Sequence, residues 1–247
     1  MRVPELHGLI RRRLLINFRV DPAVMQRQLP SPFRPKLHNG FAMAGICLIR
    51  LEEIRPRGIP SLFGLRSENS AHRFAVEWDD SQGAHTGVYI NRRDTGSLLN
   101  RIAGGRTFPG EHRRAKFRVV DDGRNVSLDM VSSNDGTHIV VAGRTADRLP
   151  ENSIFSSVGE ASAFFASGSL GYSATSDGTY HDGLLLQTES WEVAPFEVDL
   201  IQSSYFDNRG LFPDGSIEFD CALVMRNVAH VWQSAPKLEI TPTHHRT

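Results

Sequence analysis

Residues 115–142, AKFRVVDDGRNVSLDMVSSNDGTHIVVA, read as a three-stranded β-meander. Residues 115–121 form the first strand and Asp122-Gly123 ends it, because a glycine after an aspartate supplies the positive φ of a tight turn. Val126, Leu128 and Met130 then alternate with Ser127 and Asp129, the period of a strand with one buried face. Asp135-Gly136 turns the chain again, and His138 to Ala142 returns.

Outward from the meander the same punctuation recurs at Asn39-Gly40, Asp177-Gly178, Asp182-Gly183 and Asp214-Gly215. Further strands are expected over 9–19, 41–53, 72–79, 86–92, 184–194, 197–206 and 216–225. About three short helices accompany them. Asp21-Pro22 opens one that stops at Leu29-Pro30, Asp94 caps one through Ala103, and Ser157 to Glu160 is a capping box ahead of Phe164-Phe165. The chain reads as mostly β (α+β), one domain over 1–233 followed by a polar tail over 234–247 that includes His244 and His245.

Composition narrows the function. The 247 residues are 40% apolar and 23% charged, with a mean hydropathy of -0.30, enough apolar mass for a core. Lys+Arg and Asp+Glu are both 28, without the cationic excess that nucleic-acid binding requires. No apolar run approaches the ~20 residues of a membrane span, and the N-terminal segment has no apolar signal region. A cytoplasmic protein with a small-molecule partner, and neither nucleic acid nor membrane, is the expectation. Cys47 and Cys221 are too few for a disulfide framework or a zinc cluster. The histidines show no local metal spacing and no nucleotide-binding glycine motif occurs, so neither metal nor cofactor is expected. Gly171-Tyr172-Ser173-Ala174-Thr175 approaches a nucleophile elbow but lacks its second glycine. Of the 28 basic residues only Lys36, Lys116 and Lys237 are lysines.

Three ordered stretches carry a resemblance. They are Leu14 to Pro22 with Leu29-Pro30 and Phe33; Ile54 to Pro60 with Glu68-Asn69 and Arg73-Phe74; and Ser203 to Phe206, Phe212-Pro213, Asp220, Ala222 to Arg226 and His230-Val231-Trp232. Together they resemble an uncharacterised domain-of-unknown-function family that is itself similar to acetoacetate decarboxylase, over roughly residues 9 to 233. The resemblance implies an antiparallel sheet or barrel curled around a central pocket, and self-association into a homo-oligomer. It also brings a question of chemistry. Acetoacetate decarboxylase works through a lysine Schiff base activated by a neighbouring cation, and its reactive lysine follows an aromatic-Pro pair before a strand. Here that place reads Phe108-Pro109-Gly110-Glu111, without either lysine. Lys116 falls on the strand face shared with Arg114 and Arg118, opposite Ala115 and Phe117, which reads as solvated.

The resemblance places Glu68 where the decarboxylases keep an active-site glutamate. Parity puts Glu68 on one face with Phe74, Val76 and Trp78, so it reads either as a desolvated acid or base or as an exposed loop residue. Glu111 reads either as the second member of an acid/base pair with Glu68 or as an ion-pair partner of Arg11 or Arg113. Arg11 aligns with a substrate-binding arginine of the decarboxylases, and with Arg113 and His112 completes the expected binding set. Three readings follow: a pocket protein doing acid/base chemistry on a small oxygenated or carboxylated metabolite without a Schiff base, a non-catalytic ligand-binding or sensor module, and a Schiff-base decarboxylase using Lys116.

Overall fold

The computed structural model describes residues 5–97, 110–175 and 177–240. Its strands make one mixed sheet of 13 strands that curls upon itself. A shared wall runs through the middle: β1 (Leu6–Val20) pairs antiparallel with β4 (Phe41–Pro56), β4 with β5 (Leu65–Asp80), and β5 with β6 (Gly83–Thr95). The other edge of β1 pairs with β13 (Ile217–Glu239).

The wall is closed twice. On one side β10 (Leu170–Ala174) and β11 (Tyr180–Thr188) link β6 to β13 and complete a small ring. On the other, the meander links them through β7 (His112–Asp121), β8 (Asn125–Ser132) and β9 (His138–Thr145), followed by β12 (Ala194–Ser203). This second closure is a large ring. The two-residue β2 (Arg34–Pro35) and β3 (Leu37–His38) pair with β5 and β4.

Two closures explain a sequence feature that simple alternation does not. A strand covered on both faces reads as a continuous apolar run, and the wall contains Leu14-Leu15-Ile16 and Cys221 to Met225, all buried. Leu14, Ile16, Phe74 and Val224 look into the large ring and meet Leu128, Met130, Ile139 and Phe196. Leu15, Met43, Cys47 and Ala75 look the other way, against Ala161 and Phe165. Those two belong to α2 (Val158–Ala166), the second helix after α1 (Pro22–Gln26). Each fully buried side chain of this size is worth about 1.5–3 kcal/mol, so both faces of the wall are energetically committed.

The helix caps form as read: Asp21 accepts from the N–H groups of Ala23 and Val24, and Ser157 accepts from that of Glu160. Elsewhere the boundaries move. The first helix ends at Gln26 rather than Leu29. Asp94 is a residue of β6 and pairs with Arg92 instead of capping a helix, and residues 98–103 of that expected helix lie outside the described residues. The strand expected over 184–194 begins at Tyr180 and stops at Thr188, and the short β10 was not anticipated. Residues 234–239, read as tail, continue β13 because β11 offers them a pairing edge and Leu238 packs against the core. His244 and His245 lie outside the described residues. Among the described residues no helix is long and apolar enough to cross a membrane.

Candidate ligand cavity

The small ring encloses a cavity of about 120 Å³. A single buried water needs roughly 10–15 Å³, so the space suits a metabolite of a few heavy atoms rather than a nucleotide. Strand alternation selects its lining. Arg13 of β1, Cys47 of β4, and Asn69 and Arg73 of β5 project from the face of the wall opposite Leu14 and Phe74. In β6 the register shifts by one residue opposite the His72/Arg73 step, so Arg93 joins Val88 and Ile90 on the cavity side. His112, at the start of β7, completes the polar wall, and Leu184 and Trp232 supply apolar lining.

The electrostatics are one-sided. Arg13 is 9% exposed and Arg73 5% exposed, and neither has a carboxylate partner among the described residues; nor does Arg93. Their partners are neutral. Arg13 Nε donates to Cys47 Sγ at 3.3 Å and its guanidinium lies over Trp191. Arg73 donates to Asn17 Oδ1 at 2.6 Å and stacks over Phe165. Arg93 reaches Ser173 Oγ at 3.4 Å. Among the described residues Arg13 Nη1, Arg73 Nε and Arg93 Nε have no hydrogen-bond partner. Burial pushes the Arg73 guanidinium down to about 10, with Arg13 nearby adding to the effect, and burial pushes Arg93 down to about 10 as well. Burial, with the charge of Arg93 second, holds His112 down at about 4, so its imidazole is neutral at pH 7. The lining carboxylate Asp94 is engaged by Arg92 at 2.7 Å.

Of the expected site residues Glu68, Glu111, Arg11, Arg113 and His112, only His112 lines this cavity. Glu68 shares a face with Phe74 as parity requires, but that face looks into the large ring. There it accepts from Arg12 at 2.7 Å and from Arg50 at 3.2 Å. Arg12 is fully buried and also bonds Asp121, which in turn meets Arg226. Arg11 sits on the surface, 46% exposed at its side chain, paired with Glu52 where the β1–β4 register slips. Glu111 is solvent-facing at 75% exposure and forms a loose ion pair with Arg113 at 3.9 Å, exposed rather than buried, and it is no desolvated acid. Arg113 is engaged by Asp135 at 2.6 Å. Lys116 is exposed on the outer face of β7 beside Arg114 and Arg118, Lys237 pairs with Asp182, and Lys36 lies over the Phe164 ring. None of the three lysines lines the cavity. Phe108 and Pro109 lie outside the described residues.

Sequence reading missed Arg13, Arg73, Arg93 and Cys47. A usable signal existed in part: Arg13 directly precedes Leu14-Leu15, and Arg73 stands between His72 and Phe74 inside an apolar strand. A wider surface groove between Gly123–Arg124 and Glu192–Ala194 is lined by mixed charge, of which Arg144 is already paired with Glu197 at 2.7 Å. No cluster of three or more metal-ligating side chains occurs among the described residues.

A family model described as an uncharacterized conserved protein, DUF2071, matches residues 9–225. No curated protein matches. Solved structures do. Acetoacetate decarboxylase from Legionella pneumophila superposes with a TM-score of 0.61 at 10% identity, over 95% of this chain and 88% of that one. The enduracididine biosynthesis enzyme MppR, complexed with pyruvate, gives 0.60 at 8% identity over 98% and 92%. An acetoacetate decarboxylase-like enzyme from Sphingomonas wittichii gives 0.59 at 12% identity over 96% and 94%. At these identities the likeness establishes a shared fold.

Proposed function

The chain belongs to the DUF2071 family, and on that footing we propose that it is a small-molecule pocket protein that takes a small carboxylate into the arginine-lined cavity and works without a Schiff-base lysine. One observation carries the reading: three guanidiniums with no carboxylate partner among the described residues line one small cavity. Burying a cation without a counter-charge is costly, and a bound carboxylate supplies the missing charge through the bidentate geometry that guanidinium favours. The pyruvate bound by MppR names a ligand of fitting size and charge.

His112 is the group placed to move a proton. A neutral imidazole offers one donor and one acceptor nitrogen at pH 7, and Arg93 beside it opposes its protonation. The reaction class this supports is acid/base chemistry next to a carboxylate. The second reading, a binding module without turnover, is favoured by the position of both expected carboxylic acids: Glu68 and Glu111 are outside the cavity lining. Calorimetric titration with pyruvate and acetoacetate tests the shared core of both readings. Binding in the wild type that is lost in Arg73→Gln supports it; equal affinity in the two proteins refutes it. A proton-exchange or turnover assay on the bound acid, in wild type and His112→Gln, then separates enzyme from module. Borohydride added to the same mixtures is expected to leave the protein mass unchanged; an adduct on Lys116 would restore the Schiff-base mechanism.

A further inference from the structure

Cys47 stands at the centre of the cationic wall. Its sulfur accepts from Arg13 Nε at 3.3 Å. Arg73 and Arg93 line the same cavity as this sulfur. The residue is 7% exposed, and what exposure it has belongs to the cavity lining. Cys47 also packs with Leu15, Met43 and Ala75. What sets it apart from an inert core cysteine is the Arg13 contact and its place in the cavity lining, since reactive cysteines occupy cationic, ligand-accessible surroundings. Two further features point to a ligand rather than to packing. Arg13 and Arg73 are each more than nine-tenths buried, both line the cavity, and each keeps a nitrogen with no hydrogen-bond partner among the described residues.

We infer that Cys47 is a nucleophile of this cavity, and that its partner is a small carboxylate bearing an electrophilic carbon, of the 2-oxo acid class. This rests on the cavity being the carboxylate site proposed above. The guanidiniums would hold the carboxylate while Sγ adds to the adjacent carbonyl carbon. In that step the S–C bond forms, the C=O π pair moves to oxygen, and the proton lost by the thiol ends on that oxygen. The product is a hemithioketal; nothing is oxidised and no group leaves, so the addition is reversible. It would replace the lysine adduct with one that uses a residue already facing the cavity.

The test uses a matched pair of alkylating reagents on the whole protein. Iodoacetate carries the carboxylate and iodoacetamide is its neutral counterpart; with either, the S–C bond forms, the C–I bond breaks and iodide leaves. A free thiol prefers the neutral reagent. Cys221 is the internal control: it is fully buried, and burial together with the Asp220 carboxylate pushes its thiol up. The expected result, read by peptide mass spectrometry, is Cys47 labelled about tenfold faster by iodoacetate than by iodoacetamide, protection by pyruvate, and Cys221 unlabelled. In Arg73→Lys, which keeps the charge but loses the fork, the preference should shrink, and in Arg73→Gln it should vanish. Labelling of Cys47 at equal rates by both reagents, or by neither, overturns the inference. Pyruvate binding that depends on Arg73 and persists beside an unlabelled Cys47 would sink the nucleophile while leaving the carboxylate site standing.

Discussion

Replacing Glu68 with glutamine separates a structural carboxylate from a catalytic one. Arg12 is fully buried and has two anionic partners, Glu68 at 2.7 Å and Asp121 at 3.2 Å. Removing one partner of a buried ion pair typically costs about 3–5 kcal/mol. Here the loss is smaller on three counts. Arg12 keeps Asp121, the glutamine carbonyl still accepts one hydrogen bond, and Arg50 keeps Glu52 at 3.0 Å. Halving the range gives about 2 kcal/mol, and for a domain of this size about 2–4 °C per kcal/mol makes the expected drop in Tm about 4–8 °C at pH 7. Adding Arg12→Met to Glu68→Gln should recover part of that drop, because the double variant no longer buries an under-compensated cation. Calorimetric melts of the four proteins in the cycle provide the assay. Binding of pyruvate should be unaffected by Glu68→Gln, since Glu68 faces the large ring. A variant as stable as the wild type, or one whose ligand affinity collapses, would refute this placement and return Glu68 to the active site.

Acid should destabilise the protein earlier than carboxylate titration alone would. Burial holds His72 at about 3 and His112 and His230 at about 4, all below the ordinary 6.5. Lowered folded values mean that the unfolded chain takes up protons first: stability is intact above pH 6.5 and falls as pH drops toward 4, by up to about 1.4 kcal/mol per pH unit for each histidine. Urea melts giving the same midpoint at pH 7.5 and pH 5.5 would contradict this. Arg93→Met should raise the Tm of the ligand-free protein while weakening carboxylate binding, since it removes a desolvated cation; a lower Tm would show that Arg93 is structural. Self-association is the fourth expectation: Leu62 and Phe63 are 87% and 70% exposed at the β4–β5 connection, with Ile59 and Leu65 beside them. An apolar cluster of this kind marks a contact surface, so the protein should elute well above 27.5 kDa and Phe63→Ser should shift it toward monomer; elution of the wild type as a monomer would refute the assignment.

The meander and the caps at Asp21 and Ser157 were legible because each is written locally, in alternation, in Asp-Gly turns, and in a serine or aspartate two or three residues ahead of the N–H it accepts. The site was not, for a reason that lies in the double closure. Parity sorts the residues of a strand onto two faces, and it sorted Glu68 with Phe74 and Lys116 with Arg118 as the structure has them. It says nothing about which face holds an empty space. When one face is solvated, the apolar side is the inside and the choice makes itself. In β1, β4 and β5 both faces are covered, and the one carrying Leu14, Ile16 and Phe74 packs against the meander. The cavity lies on the other, behind Arg13 and Arg73, which a one-sided rule assigns to solvent.

That arrangement also accounts for where the chain keeps its charge. The large ring contains a network in which Arg12, Arg50 and Arg226 all meet carboxylates, so its buried charges are mutually compensated. Among the described residues the cavity of the small ring is lined by three guanidiniums, His112 and Asp94, and Asp94 already pairs with Arg92. Arg12 in one ring meets carboxylates, and among the described residues Arg73 in the other does not. Compensated charge fixes a structure; uncompensated charge costs stability, of the order of 3 kcal/mol for a guanidinium lowered from 12.5 to about 10. A bound anion offsets that cost, and at a hundred times its Kd it contributes about 2.7 kcal/mol to stability by mass action. If the proposed carboxylate site is correct, pyruvate should raise the Tm of the wild type in a concentration-dependent way, and Arg73→Gln should lose that rise; no shift in either protein would refute it.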